Sequence, residues 1–197
     1  MLGVSIVLKR FTHILGLLVV LAACSFALMG SASSEDWSSY QPAHTLGSGE
    51  NDWWSTYPTQ HADAGKAVEH PNFVLDALKE KPVLILVHSS TCKSCAAQIA
   101  NLKEPLASFG NDVDYIDVLG ESGGDMQKAL DLLNAYDPQG IGQGYVPTTI
   151  FITLIKGSDG KVQVAWHSQI DAMDAGQIEG YVKDSIYYYK QNAANWK

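Results

Sequence analysis

The sequence predicts an α/β domain, a central mixed β-sheet that ends in an antiparallel C-terminal hairpin and is flanked by helices. Three observations lead there. The run Val83-Leu84-Ile85-Leu86-Val87 is apolar without alternation, the pattern of a strand covered on both faces. Segments with helical apolar spacing stand on either side of it and again near the C-terminus. Two β-rich runs, 148–155 and 162–168, are joined by Gly157-Ser158-Asp159-Gly160, whose Asp-Gly step is a strong hairpin turn.

Each element follows in order. His70-Pro71 opens the first helix, with Phe73, Val74, Ala77 and Leu78 on one face, and Lys81-Pro82 ends it just before the apolar strand. Ser89-Ser90-Thr91 offers N-cap hydroxyls to a second helix that starts at Cys92-Lys93-Ser94-Cys95 and continues through Ile99, Leu102, Leu106 and Phe109. Pro105 removes a backbone donor inside that helix, so a bend is expected. Residues 113–119 read as a strand ending at Gly120. A third helix spans about 125–136 with Met126, Ala129, Leu130 and Leu133 as its apolar set, and stops before Asp137-Pro138. A Gly-rich loop, 140–144, then leads to Val146-Pro147 and the hairpin. The last helix carries Ile178, Tyr181, Val182, Ile186 and Tyr189 on one face, and Tyr187-Tyr188-Tyr189 is read as packing at the core edge. The order is α-β-α-β-α-β-β-α.

Thirteen basic against twenty-one acidic residues give a formal charge of −8, with no Lys/Arg cluster to track a phosphate backbone, which argues against nucleic acid as a partner. At the front, Lys9 and Arg10 precede an uncharged apolar run, 14–28, followed by the small and polar stretch 30–34, the layout of an export signal. Leu21-Ala22-Ala23-Cys24 resembles the lipobox of bacterial-type lipoproteins, which makes Cys24 a candidate for lipidation. Cleavage after Ala32, or an uncleaved segment over 11–29 crossing the bilayer, are the alternatives. All three place the remainder outside the cytoplasm, and lipidation or the uncleaved segment anchors it to the membrane, whereas cleavage after Ala32 releases it. The organisation is therefore a signal or anchor over 1–30, a linker over 31–65 and a domain over 66–197. The linker is Ser-, Gly- and Pro-rich and reads as a tether, yet Trp37, Tyr40, Trp53, Trp54 and Tyr57 are dense for a solvated segment, and 53–57 is expected to pack on the domain as an extra strand or clamp.

Three cysteines are too few for a disulfide-stapled miniprotein and one short of a four-thiolate zinc site, so cysteine chemistry comes from a pair. Cys92 and Cys95, three apart at a helix start, project from neighbouring positions on one face, the spacing that dithiol exchange needs. The helix N-terminus and Lys93 favour the thiolate of Cys92, which makes it the attacking sulfur and Cys95, one turn deeper, the resolving one. A second chemistry fits the same spacing: His88 and His167 joining both thiolates in a soft copper or zinc site, as in a metallochaperone.

Strand 82–88, the Cys92-x-x-Cys95 helix, Val146-Pro147-Thr148 before a hairpin and the closing amphipathic helix together resemble the thioredoxin superfamily, over about residues 66–192. That resemblance implies a thioredoxin fold and a thiol–disulfide oxidoreductase with no cofactor beyond the redox-active Cys92–Cys95 disulfide. It further implies that Pro147 is a cis proline facing the disulfide, that the Val146 backbone pairs with an extended substrate chain, and that Thr91, Lys93, Tyr145 and Thr148 line the substrate groove. The expected partners are thiols and disulfides of exported proteins and a membrane thiol carrier of electrons. Three departures stand out: Thr91 replaces the tryptophan often found before the first cysteine, Leu86 replaces the buried acid of family reductases, and the 52-residue interval from Cys95 to Pro147 is longer than in a minimal thioredoxin by roughly a dozen.

Overall fold

A computed structural model describes residues 36–196. The export signal, the candidate membrane span over 11–29 and Cys24 lie outside the described residues.

Helix α1 (Asn72–Leu78) leads into strand β1 (Val83–His88), followed by α2 (Lys93–Phe109), β2 (Asp114–Leu119), α3 (Met126–Ala135), β3 (Thr148–Lys156), β4 (Val162–Ile170) and α4 (Ala175–Asn192). The strands form one sheet in the order β2-β1-β3-β4, with β1 parallel to β2 and antiparallel to β3, and β3 antiparallel to β4. This order and these directions, with a CxxC helix leaving β1 and a proline entering β3, are the thioredoxin fold.

β1 is central because it can be: residues 83–87 are all buried, so both faces tolerate cover. Val83, Ile85 and Val87 join Ile150, Ile152, Leu154 and Trp166 on the face that packs with α1 and α3. Leu84 and Leu86 join Phe151, Ile155 and Ala165 on the opposite face, with Leu102 of α2 and Ile178, Tyr181, Val182 and Ile186 of α4. The hairpin closes through Gly157–Gly160, with Gly160 at φ +81°, a conformation that favours glycine. α4 opens with a reciprocal cap between Asp174 and Gln177.

Two helices present a different face from the one their apolar spacing suggested. α2 is continuous through Pro105, and its buried positions are Cys95, Gln98, Leu102 and Pro105, while Ile99 is 40% exposed. α3 buries Ala129 and Leu132, leaving Met126 and Leu130 exposed. In both, the helix is set by what its ends are tied to, and the stripe rotates accordingly.

Within the described part of 31–65, the aromatic residues pack on the domain. Trp53 and Trp54 are 0% and 1% exposed, on opposite faces of the sheet, and the segment forms backbone bridges at Leu46–Trp53, Trp54–Trp166 and Thr56–Ala67. Nearer the N-terminus, the buried Asp184 carboxylate of α4 accepts hydrogen bonds from Tyr40 Oη (2.6 Å), the amides of Ala43 (2.9 Å) and His44 (2.8 Å), and His44 Nδ1 (2.7 Å). Aromatic side chains that a solvated linker has no reason to carry are instead part of the core. The three consecutive tyrosines sit at its margin: Tyr188 donates to His44 O, Tyr189 donates to Lys79 O, and the Tyr187 ring meets Tyr40. No described helix is long and apolar enough to cross a membrane.

Candidate functional site

β1 delivers its last residue, His88, to one end of the sheet, and the turn 89–91 carries the chain into α2. Cys92 is the N-cap of that helix, with extended backbone (φ −87°, ψ 124°), and its Sγ accepts the Cys95 N–H at 3.1 Å. The two cysteines form a disulfide across a Cα separation of 5.2 Å. Their environments differ: Cys92 is half-buried, whereas Cys95, on the sheet-facing side of the first turn, is fully buried.

The Val146–Pro147 peptide is cis, and the Val146 carbonyl oxygen lies 3.6 Å from Cys92 Sγ. The flanking residues are pinned: Thr148 Oγ1 donates to Tyr145 O (2.7 Å), and the Pro147 carbonyl accepts from Asp171 N (2.9 Å), which ties the loop to the end of β4. Tyr145 is 43% exposed beside the proline, and Thr91 and Lys93 are exposed on the other side of the sulfurs. The structure thus brings Cys92, Cys95, Val146 and Pro147 together at one end of the sheet, with Tyr145, Thr91 and Lys93 exposed nearby; Thr148, expected to line the groove, is 2% exposed with its hydroxyl turned to Tyr145 O, so it braces the proline loop from inside.

The hydroxyls of the turn do not cap α2. Ser89 Oγ (2.6 Å) and Ser90 N (3.0 Å) donate to Glu121 Oε2, and Ser90 Oγ donates to Glu121 Oε1. These bonds, first Ser89 and then Ser90, hold the Glu121 carboxyl below the ordinary glutamate range. The cap role falls to the Cys92 sulfur.

A metal set of both cysteines with His88 and His167 is not assembled. His167 pairs with Phe151, which pairs with Leu84, four residues short of the active end of β1. Its Nδ1 is 3.0 Å from the Asp52 carbonyl and its ring stacks on Tyr181 at 4.1 Å, so it is a core side chain already engaged. His88 is shielded, with Nε2 3.1 Å from Asp117 Oδ1, within ion-pair distance but not aligned as a hydrogen bond. Among the described residues no group of three or more His, Cys, Asp or Glu side chains is placed to hold a metal ion.

Leu86 supplies no carboxylate, and the strand and helix around it carry the buried polar pair Gln98 and Thr149. Gln98, one turn after Cys95 and fully buried, donates to Thr149 Oγ1 (2.8 Å) and accepts from Met173 N (2.7 Å). Thr149 faces Leu86 in register. The sequence carried one trace of this pair: a glutamine three residues after Cys95 and four before Leu102 falls on the sheet-facing side of α2.

A groove of about 930 Å³ lies beside the C-terminal end of β4, the end that pairs with the start of β3, between residues 48–50 of the N-terminal segment and the loop after α3. That loop is organised by Asp137, whose carboxylate accepts from the amides of Gln139 (2.9 Å) and Gly142 (3.0 Å).

No protein-family model matches the sequence, and no curated protein matches it. Among solved structures, the chain is similar to a thiol:disulfide interchange protein of the thioredoxin family from Chlorobium tepidum, at 12% identity over 56% of this chain and 83% of that one, TM-score 0.41. It is similar to StoA from Bacillus subtilis at 14% identity over 52% and 82%, TM-score 0.33, and to a secreted Mycobacterium tuberculosis disulfide oxidoreductase at 19% over 54% and 84%, TM-score 0.32. At such values these overlaps add nothing to the fold beyond what strand order, register and the cis proline already establish.

Proposed function

We propose that this thioredoxin-fold chain is an extracytoplasmic thiol–disulfide oxidoreductase that exchanges or reduces disulfides in exported proteins through Cys92 and Cys95. One observation carries the reading: a disulfide whose first sulfur is half-exposed at a helix N-cap and 3.6 Å from the carbonyl preceding a cis proline, and whose second is fully buried.

The helix N-terminus stabilises the Cys92 thiolate. That thiolate attacks one sulfur of a substrate disulfide; a mixed disulfide forms as the substrate S–S bond breaks, and the departing sulfur takes up a proton. Cys95, once deprotonated, attacks Cys92 Sγ, the mixed disulfide breaks, and the second substrate thiol leaves as the Cys92–Cys95 disulfide closes. Two electrons have passed to the substrate. A donor dithiol, which we assign to a membrane thiol carrier, returns them by the same exchange run in the opposite direction, and no other cofactor is required. Val146 offers its backbone to an extended substrate, with Tyr145, Thr91 and Lys93 as the surrounding groove. The uncharged run and Cys24 near the N-terminus support membrane attachment through an acyl chain.

Reduction of insulin disulfides by the purified chain is the test. Cys92→Ser is expected to abolish it, and Cys95→Ser to accumulate a mixed disulfide on Cys92. Undiminished activity in Cys92→Ser overturns the proposal. For attachment, mass spectrometry of the processed N-terminus is expected to find a lipidated Cys24, and a peptide beginning at Ser33 removes that part.

A further inference from the structure

We infer that Glu121, on the loop between β2 and α3, is a positioning residue of the dithiol: it clamps the Ser89–Thr91 turn and sets a negative charge against the N-terminal end of α2, which disfavours the Cys92 thiolate and makes the pair a stronger electron donor. The inference rests on the thiol–disulfide reading and deepens it.

Both oxygens of Glu121 are committed to two consecutive residues of the turn, through Ser89 Oγ, Ser90 N and Ser90 Oγ. Those donors are therefore withheld from the helix end. What remains for the Cys92 sulfur is the Cys95 amide at 3.1 Å and Ser94 Oγ at 3.4 Å. When the disulfide is reduced, the charge appears on that same sulfur, two residues from the serine that grips the carboxylate. A like charge held on the turn that leads into the cysteine raises a thiol pKa, while the helix end and Lys93 lower it.

The other charged and titratable groups around the turn are placed differently. His88 of β1 lies against Asp117 of β2 and also acts on Glu121, adding to the serines in holding its carboxyl low, and Asp125 caps α3 by accepting from Lys128 N. Glu121 alone among them is hydrogen-bonded to the turn in the described residues. With its carboxyl held below the ordinary range by the serines, it stays ionised wherever the dithiol operates. A less stable thiolate means a less stable reduced form, and the equilibrium with any substrate disulfide moves toward electron donation.

The test uses the full chain. E121Q keeps size and an acceptor oxygen but loses the charge; E121D keeps the charge on a shorter arm. The readouts are the pH dependence of Cys92 alkylation in the reduced protein and the redox equilibrium with dithiothreitol or glutathione. E121Q is expected to raise the thiolate fraction by roughly threefold to tenfold and E121D to stay within roughly twofold of wild type. A tenfold change in the equilibrium constant corresponds to a potential about 30 mV more oxidising for the two-electron couple. A purely mechanical brace predicts the reverse ranking, with E121D the more perturbed, and that result, or wild-type behaviour of E121Q, overturns the inference. S89A/S90A provides a second route should E121Q not fold: releasing the carboxylate to water is expected to shift the thiol in the same direction as E121Q, and no shift overturns the inference. A wild-type disulfide that exchanges with neither couple removes the underlying oxidoreductase reading instead, and is seen before any variant is made.

Discussion

Trp54 and Trp166 exchange both of their backbone hydrogen bonds, each at 2.8 Å, and their rings meet edge to face with centroids 5.0 Å apart. The N-terminal segment thereby pairs with the outer edge of β4 at Trp166, taking that residue's N–H and C=O out of the unpaired edge. Trp54→Ala is expected to cost about 3–5 kcal/mol. The measurement is the urea midpoint at unchanged denaturant slope, and a midpoint equal to wild type would return residues 36–57 to the status of a loose tether.

Asp184 anchors the same segment further upstream. Its four hydrogen bonds come from Tyr40, Ala43 and His44. Asp184→Ala leaves those donors facing a buried void, and a loss of about 3–5 kcal/mol is expected, with Asp184→Asn losing less because one acceptor oxygen survives. Limited proteolysis is expected to cut Asp184→Ala between residues 36 and 50 first; cleavage elsewhere at the same rate as wild type counts against the anchor.

Acid should weaken the fold before the carboxylates titrate. Burial pushes the His167 imidazole from an ordinary 6.5 down to about 4, against the opposing influence of the Asp52 carbonyl, and burial brings His70 to about 4 as well. Between those values the unfolded chain binds a proton that the folded chain excludes, so the stabilisation is complete above about pH 6.5 and is lost as pH falls toward 4. For His167 the loss amounts to about 3 kcal/mol across the window. Denaturant midpoints measured from pH 7 to pH 4 are expected to fall, and to fall less steeply in His167→Phe; parallel curves for the two proteins would contradict this account.

Gly140 and Gly142 make a matched pair within the loop after α3, at φ +67° and +64°. A Cβ on Gly140 meets the His61 ring at 2.9 Å and the Ala62 amide at 3.0 Å, whereas one on Gly142 meets nothing within 4 Å. Gly142→Ala is expected to cost about 1–2 kcal/mol from backbone strain alone. Gly140→Ala should cost more and loosen residues 61–62 in hydrogen exchange. Equal losses for the two would show that the loop does not press on the N-terminal segment.

Strand β1 and the hairpin were legible because their signals are local: five consecutive apolar residues, and an Asp-Gly turn between two β-rich runs. The paired cysteines and the proline were legible for the same reason. Helix faces were less so. Apolar spacing put Ile99, Met126 and Leu130 inward, but α2 is oriented by Cys95 and by the Gln98 bonds to Thr149 and Met173, and α3 by its attachment at Asp125 and Tyr136, which turns both stripes by about one position. Glu121 was invisible, since its partners lie on another element and nothing in the spacing joins them. The tryptophans gave a fair warning that composition suggesting a linker was carrying core residues.

In the proposed mechanism, the unequal depth of the two sulfurs sets the regiochemistry of each encounter. An incoming macromolecule meets Cys92, so the covalent adduct has one address and capture is second order. Resolution by the buried Cys95 is intramolecular and first order: along that route the lifetime of the captured species belongs to the protein and not to the concentration of whatever it has caught.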